Sequence, residues 1–188
     1  MSVNHRIFAA ALAAAALSLA TAAQATVLTF EDLPHEFELQ GVGDSVFSKG
    51  YRLQYTPEPD EPYPVGFFSV GSVWQFNGRS TALVANSCSA TTTLTAQDNN
   101  PITLLAIDLA ELNGDTNASV TFEGLTVKGE VVRKAFKLRG SRTWQTVVFP
   151  PSFHRLQYVR WKQGDCTTNP PHMFDNVRVY QSWRGRDE

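Results

Sequence analysis

The sequence predicts an all-β protein built as a two-sheet antiparallel β-sandwich. Apolar residues recur at every second position or in short runs, and turn-forming residues interrupt them every ten or so positions. Sustained 3.6-residue periodicity does not organise the body of the chain, so its elements are expected to be many short strands stacked in two layers.

The strands expected in order are 27–30, 51–56, 66–70, 81–86, 91–96, 102–109, 118–127, 131–138, 145–149, 156–161 and 173–180. Within 118–127 the inward set changes parity: Val120 and Phe122 alternate, Gly124 intervenes, and Leu125 and Val127 follow on the other register. A bulge or bend at Gly124 is the simplest expectation. After a turn at Lys128-Gly129-Glu130, Val132, Phe136 and Leu138 share one face, while Arg133, Ala135 and Lys137 share the other, which predicts one buried and one wet face. Residues 56–64 hold four prolines and three acids, and residues 164–171 end in Pro170-Pro171; both stretches read as exposed loops.

At the start, His5 and Arg6 precede a small and apolar run over 7–20, followed by Ala23-Gln24-Ala25, the small-x-small pattern of a signal-peptide cleavage site. A membrane anchor is the alternative, but the run is short of the roughly 20 residues a bilayer span needs. The expected organisation is a signal peptide at 1–25, one β-sandwich domain at 26–182 and a short polar tail at 183–188, with secretion to the periplasm or beyond. Removing Arg6 from the 16 basic residues leaves 15 against 18 acidic ones, net −3, which argues against a nucleic-acid partner. No later stretch is apolar enough to span a membrane. In an exported chain the two cysteines, Cys88 and Cys166, read as a disulfide, with two buried thiols as the alternative, and Cys-x-x-Cys spacing is absent.

Three segments together carry a family resemblance: Leu28-Thr29-Phe30-Glu31-Asp32-Leu33 near the mature start, the apolar run 102–112, and Phe174-Asp175-Asn176-Val177-Arg178-Val179 near the end. The chain resembles the β-sandwich ectodomains of PEP-CTERM-type exported bacterial proteins, which are similar in architecture to jelly-roll carbohydrate-binding modules. It ends at Trp183-Arg184-Gly185-Arg186-Asp187-Glu188 rather than in the Pro-Glu-Pro, apolar helix and basic tail of sorted members, so anchoring by that route is not expected.

The resemblance also implies a structural calcium ion where the first and last strands meet. Phe30-Glu31 and Phe174-Asp175 match the positions of its ligands, and Asp32, Asn176 and a carbonyl near Gly50 could supply further oxygens to a cation that takes six to eight. Parity supports part of this: Asp175 shares it with Val177 and Val179, which would put a carboxylate on the apolar face unless the strand bulges, and such a carboxylate needs a partner. A salt bridge to an arginine is the competing reading.

For a sugar ligand, ring planes stack on pyranose faces while amides and carboxylates take the hydroxyls. Trp74 and Asn77, in Val73-Trp74-Gln75-Phe76-Asn77-Gly78, have that composition, and Tyr63 sits in the proline loop. Trp74 as a core residue is the alternative, and Trp144 and Trp161 lie within or beside strands and are expected to be buried. His35, His154 and His172 lack a nucleophile signature, and Asp98, Asp108 and Glu111 show no convergence in the sequence. The expectation is therefore a non-catalytic exported module for an extracellular polysaccharide or other glycan. A structural matrix or cell-surface protein is second and a secreted hydrolase a distant third.

Overall fold

The computed structural model describes residues 25–34, 39–59, 66–71, 80–87, 89–112, 117–140, 143–162 and 171–181. They form thirteen strands: β1 (Thr26–Leu28), β2 (Leu39–Gly43), β3 (Ser45–Ser48), β4 (Tyr51–Thr56), β5 (Phe67–Val70), β6 (Ala82–Ala85), β7 (Thr91–Ala96), β8 (Ile102–Glu111), β9 (Ala118–Thr126), β10 (Val131–Leu138), β11 (Gln145–Val148), β12 (Leu156–Lys162) and β13 (His172–Gln181). One 3-10 turn, Pro151–Phe153, lies between β11 and β12. Among the described residues no helix is long and apolar enough to cross a membrane.

Every pairing is antiparallel, and the strands divide into two layers. The first sheet runs β2-β5-β6-β13-β8, with β1 also paired to β13 and β11 to β8. The second runs β3-β4-β7-β12-β9-β10, and the layers are linked where Leu156 of β12 meets Ile102 of β8. This is the predicted two-sheet β-sandwich.

Local sequence explains the layers. In β4 and β7 the alternation Tyr51, Leu53, Tyr55 and Thr92, Leu94, Ala96 faces inward, and the residues between them face out. β8 is nearly continuous in its apolar content because it lies between β13 and β11 with cover on both faces: Ile102, Leu104, Ile107 and Leu109 enter the main core, while Ala110 joins a smaller apolar cluster with Val70, Ala82, Val84 and Met173. Aromatic rings tie the layers together. Phe174 of β13 meets Phe30, Phe67 and Trp161 edge-on at 5.8, 6.4 and 5.3 Å.

Two strands, β2 and β3, were not expected from the sequence, because Gly41 and Gly43 interrupt one and the other is only four residues long. The bulge expected at Gly124 does not exist. The β9–β10 register runs without a shift from Ala118↔Leu138 to Leu125↔Val131, and Leu125 and Val127 stay on the outward side. Gly124 instead faces inward, where Leu156 and Val132 occupy the space a side chain would need: a Cβ there would sit 3.0 Å from Leu156 Cδ1 and 3.1 Å from Val132 Cγ2. The irregularity is on the partner strand, between Leu156 and Tyr158 of β12. Trp161 is buried, as expected, and Trp144 is partly buried against the smaller cluster.

Gly66, at the entry to β5, has φ +76°, and a Cβ on it would stand 2.5 Å from the Gly43 carbonyl oxygen. Gly66→Ala should therefore lose about 1–3 kcal/mol from backbone strain before the clash is counted, read as a drop in the denaturation midpoint. An unchanged midpoint would show that this junction is looser than described.

Candidate functional site

The first and last described strands pair in the first sheet. β1 pairs with β13 at Thr26↔Val179, Val27↔Arg178 and Leu28↔Val177, and the turn that follows β1, closed by Leu33 N–H on the Phe30 carbonyl at 3.0 Å, carries Glu31 and Asp32. Ser80 and Thr81 lead into β6, which pairs with β13 at Leu83↔Phe174. Three separate segments thus converge on Asp175.

Asp175 is fully buried, but it does not face the main core as strand parity predicted. The register shifts between Asp175 and Arg178, and Asn176 has φ +49°, a left-handed conformation that asparagine tolerates better than most residues. This bulge lets Phe174 and Val177, three positions apart, both enter the core, and it leaves Asp175 on the opposite face beside Met173 and its cross-strand partner Asp108.

The hydrogen bonds are mostly uncharged. Asp175 accepts from the Ser80 hydroxyl at 2.9 Å, from the Asn176 main-chain N–H at 2.6 Å and from the Asn176 amide at 3.2 Å. The same amide donates to Asp108 at 3.1 Å, and Asp108 also accepts from Thr146 at 2.6 Å and from Arg178 at 3.4 Å. Glu31 takes the Thr81 main-chain N–H at 3.1 Å and its hydroxyl at 3.4 Å. The arginine of the competing salt-bridge reading therefore serves Asp108.

These environments push the two opposed carboxyl groups apart. Burial raises Asp175, its hydrogen bonds oppose this without cancelling it, and the charges of Glu31 and Asp108 raise it further. Burial would raise Asp108 too, but the Thr146 hydroxyl, the Arg178 charge and the Asn176 amide outweigh it and hold Asp108 below the usual aspartate range. Of the two acids in the turn, both exposed, Glu31 rather than Asp32 bears on Asp175. The Gly50 carbonyl is engaged elsewhere, accepting the Gln97 N–H at 2.9 Å in a turn beside Gln181, at the far end of β13. Among the described residues no three His, Cys, Asp or Glu side chains gather as a metal-holding group.

The sequence reading missed Asp108 and Ser80. Asp108 had a readable signal, since it is the one acid inside the apolar run 102–110, and a carboxylate in such a run needs partners. Trp74, Asn77, Tyr63, Cys88 and Cys166 lie outside the described residues, as does the expected signal peptide up to residue 24.

The outer face of the second sheet is different in kind. Cross-strand registers align two rows on it, Phe47, Arg52 and Thr95, then Gln54, Thr93, Arg160, Glu123 and Arg133, with Tyr158 opposite Leu125 two residues along β12 from Arg160. Phe47 is 56% exposed with the Arg52 guanidinium 5.8 Å from its ring, and Arg160 stands 5.6 Å from the Tyr158 ring. Glu123 holds two arginines: Arg133 donates through Nε at 3.0 Å and Nη2 at 2.7 Å, and Arg160 through Nε at 2.9 Å and Nη2 at 2.5 Å. Those bonds, Arg133's first and then Arg160's, keep the Glu123 carboxyl below the usual glutamate range. A groove of about 520 Å³ opens beside them, lined by Thr91, Ser119, Thr121, Glu123, Arg160, Trp161 and Lys162.

No protein-family model matches the sequence, and no curated protein matches it. Among solved structures, the chain is similar to the tandem CBM22-1–CBM22-2 domain of a Paenibacillus barcinonensis protein, at 12% identity and a TM-score of 0.47, over 91% of this chain and 49% of that one. The chain thus spans about half the length of the tandem. It is also similar to the single CBM22-1 xylan-binding domain of that protein, at 11% identity, TM-score 0.45, over 85% of this chain and 96% of that one. A third likeness is to a family 29 carbohydrate-binding module from Piromyces equi, at 10% identity, TM-score 0.46, over 84% and 89%.

The opposed shifts of Asp108 and Asp175 give a signed expectation for the metal-free protein. Asp108, depressed on folding, contributes stability above its unfolded pKa of about 3.9 that is lost as pH falls through its folded value; Asp175, raised, contributes stability that is lost as pH rises through its folded value. At pH 7 in chelator, Asp108→Asn should destabilise by about 1–3 kcal/mol, while Asp175→Asn should be neutral or stabilising. Thermal unfolding from pH 3 to 8 checks both, and equal losses in the two variants would contradict the assignment.

Proposed function

We propose that the chain is an exported, non-catalytic β-sandwich module that binds glycans and carries a structural calcium ion where its first and last described strands pair. One observation supports the glycan reading above the others: the second sheet's outer face presents ring planes, Phe47 and Tyr158, on the same face as the Gln54 amide, the hydroxyls of Thr93 and Thr95, and charged groups. Ring faces suit the apolar faces of sugars, and amides, hydroxyls and carboxylates suit their hydroxyl groups. The segment with Trp74 and Asn77, and Tyr63 of the proline loop, belong to this reading as further ligand contacts. Export from a cleaved signal peptide and a Cys88–Cys166 bridge belong to it as well, as in the exported ectodomains the sequence resembles.

The donor set around Asp175 fits calcium. Glu31 and Asp175 would supply carboxylate oxygens, Asn176 and the hydroxyls of Ser80 and Thr81 neutral ones, and Asp32 stands next along the turn. The structural reason is the cost the site carries as it stands. Among the described residues Asp175 is a buried carboxylate with only uncharged hydrogen-bond donors and two acidic neighbours, and the ion would supply positive charge.

Two measurements test these readings separately. A glycan array of the mature protein should show retention that Trp74→Ala or Tyr158→Ala abolishes with the melting temperature nearly unchanged. Loss of about 3–5 kcal/mol in Trp74→Ala would instead assign that ring to the core, and an array without hits would overturn the glycan reading. For the ion, chelation should lower the melting temperature, by the equivalent of about 2.7 kcal/mol if calcium stood at 100 times its dissociation constant. Asp175→Ala should remove the chelator's effect, and an unfolding curve indifferent to chelator would refute the site.

A further inference from the structure

Charge is distributed unevenly between the two outer faces. The chain as a whole is slightly acidic, net −2. Yet the outward strand positions of the second sheet carry Arg52, Arg133, Lys137, Arg160 and Lys162 against the carboxylate of Glu123 there and that of Glu58 just past β4, which pairs with Lys162, among the described residues. The acids Asp108, Asp175 and Glu31 gather on the first sheet instead. A cationic face on an acidic protein attracts anionic partners.

The arginines are more than a diffuse charge. Arg160 and Arg133 lie on opposite sides of β9 in one cross-strand row, about 9–10 Å apart at the backbone from the spacing of strands. Glu123, with its side chain 17% exposed, fixes the Nε and Nη2 groups of both. Each guanidinium has five N–H donors, so each keeps its Nη1 edge for another acceptor, on side chains that remain 64% and 50% exposed. Paired, pre-oriented guanidinium edges match planar carboxylates, which take two parallel N–H bonds, better than they match single hydroxyls. Beside Arg160, the groove adds the Thr91 and Thr121 hydroxyls and Lys162, which is itself paired with Glu58.

We infer that this face binds a carboxylate-bearing polysaccharide, a polyuronate, with Arg160 and Arg133 reading the carboxylates and Glu123 acting as the positioning residue. The inference rests on the glycan-binding reading and narrows it to an acidic substrate class. Neutral sugar contacts would come from the Tyr158 ring and the threonine hydroxyls.

Calorimetric titration with a short oligogalacturonate, with its fully methyl-esterified form and with dextran sulfate tests it. The free acid should bind at least about tenfold more tightly than the ester, with affinity falling as salt rises. Arg160→Lys, which keeps the charge and loses the planar fork, should weaken binding of the acid by about tenfold, at an unaltered melting temperature. If the ester binds as tightly as the acid, the acidic assignment fails while the glycan reading stands; if neither binds and a neutral glycan array is also blank, both fail. Dextran sulfate binding as tightly as the acid, with Arg160→Lys indifferent, would reduce the face to plain polyanion attraction and overturn the carboxylate pair.

Discussion

The demand on β13 to bury both Phe174 and Val177 is the constraint from which much of the structure follows. Phe174 is the ring at which β5, β12 and the turn after β1 meet, through Phe67, Trp161 and Phe30, so it cannot be turned outward without opening the centre of the sandwich. Val177 pairs with Leu28 of β1, and both are fully buried. A regular strand alternates faces at every residue and cannot place positions 174 and 177 on the same side. One extra residue must be absorbed between them, and Asn176, in the left-handed region, absorbs it. The acidic pocket is a by-product of that accommodation: Asp175 is rotated out of the core, yet Ser80, the Asn176 amide and its neighbours cover it.

The same reasoning shows which parts of the molecule the sequence makes legible. β4, β7 and β10 begin and end where their alternation or length predicts, because each has one wet face and one dry face and turns at both ends. β2 and β3 were invisible, since glycines in one and brevity in the other remove the period-two signal while backbone pairing to β5 and β4 supplies the order. At Gly124 the local pattern pointed to a bulge, but a residue without a side chain also lets a neighbouring strand's Leu156 come close, and a single sequence does not separate those uses. The charge of Glu31 bears on Asp175, and the Asn176 amide donates to that carboxylate. Asp108 joins them only through the β8–β13 register, a long-range fact that spacing along the chain does not encode.

Three carboxylates show how partners, rather than burial alone, set what an acid can do. Asp108 and Asp175 face each other across one strand pair and are both buried. Asp108 receives a hydroxyl, an amide and a guanidinium, enough to stabilise its charge, whereas Asp175 receives, among the described residues, only neutral donors and sits between two other acids. Glu123, on the opposite sheet and in contact with water, is held by two arginines; its charge is spent on fixing their geometry rather than on stabilising the fold, because exposed ion pairs contribute little. A carboxylate with surplus donors can orient cations for a ligand, and one with a deficit of positive charge invites a cation. The two outer faces of this sandwich carry one of each. That difference explains why the protein's two candidate functions, holding an ion and holding an anionic chain, fall on opposite sides of the same core.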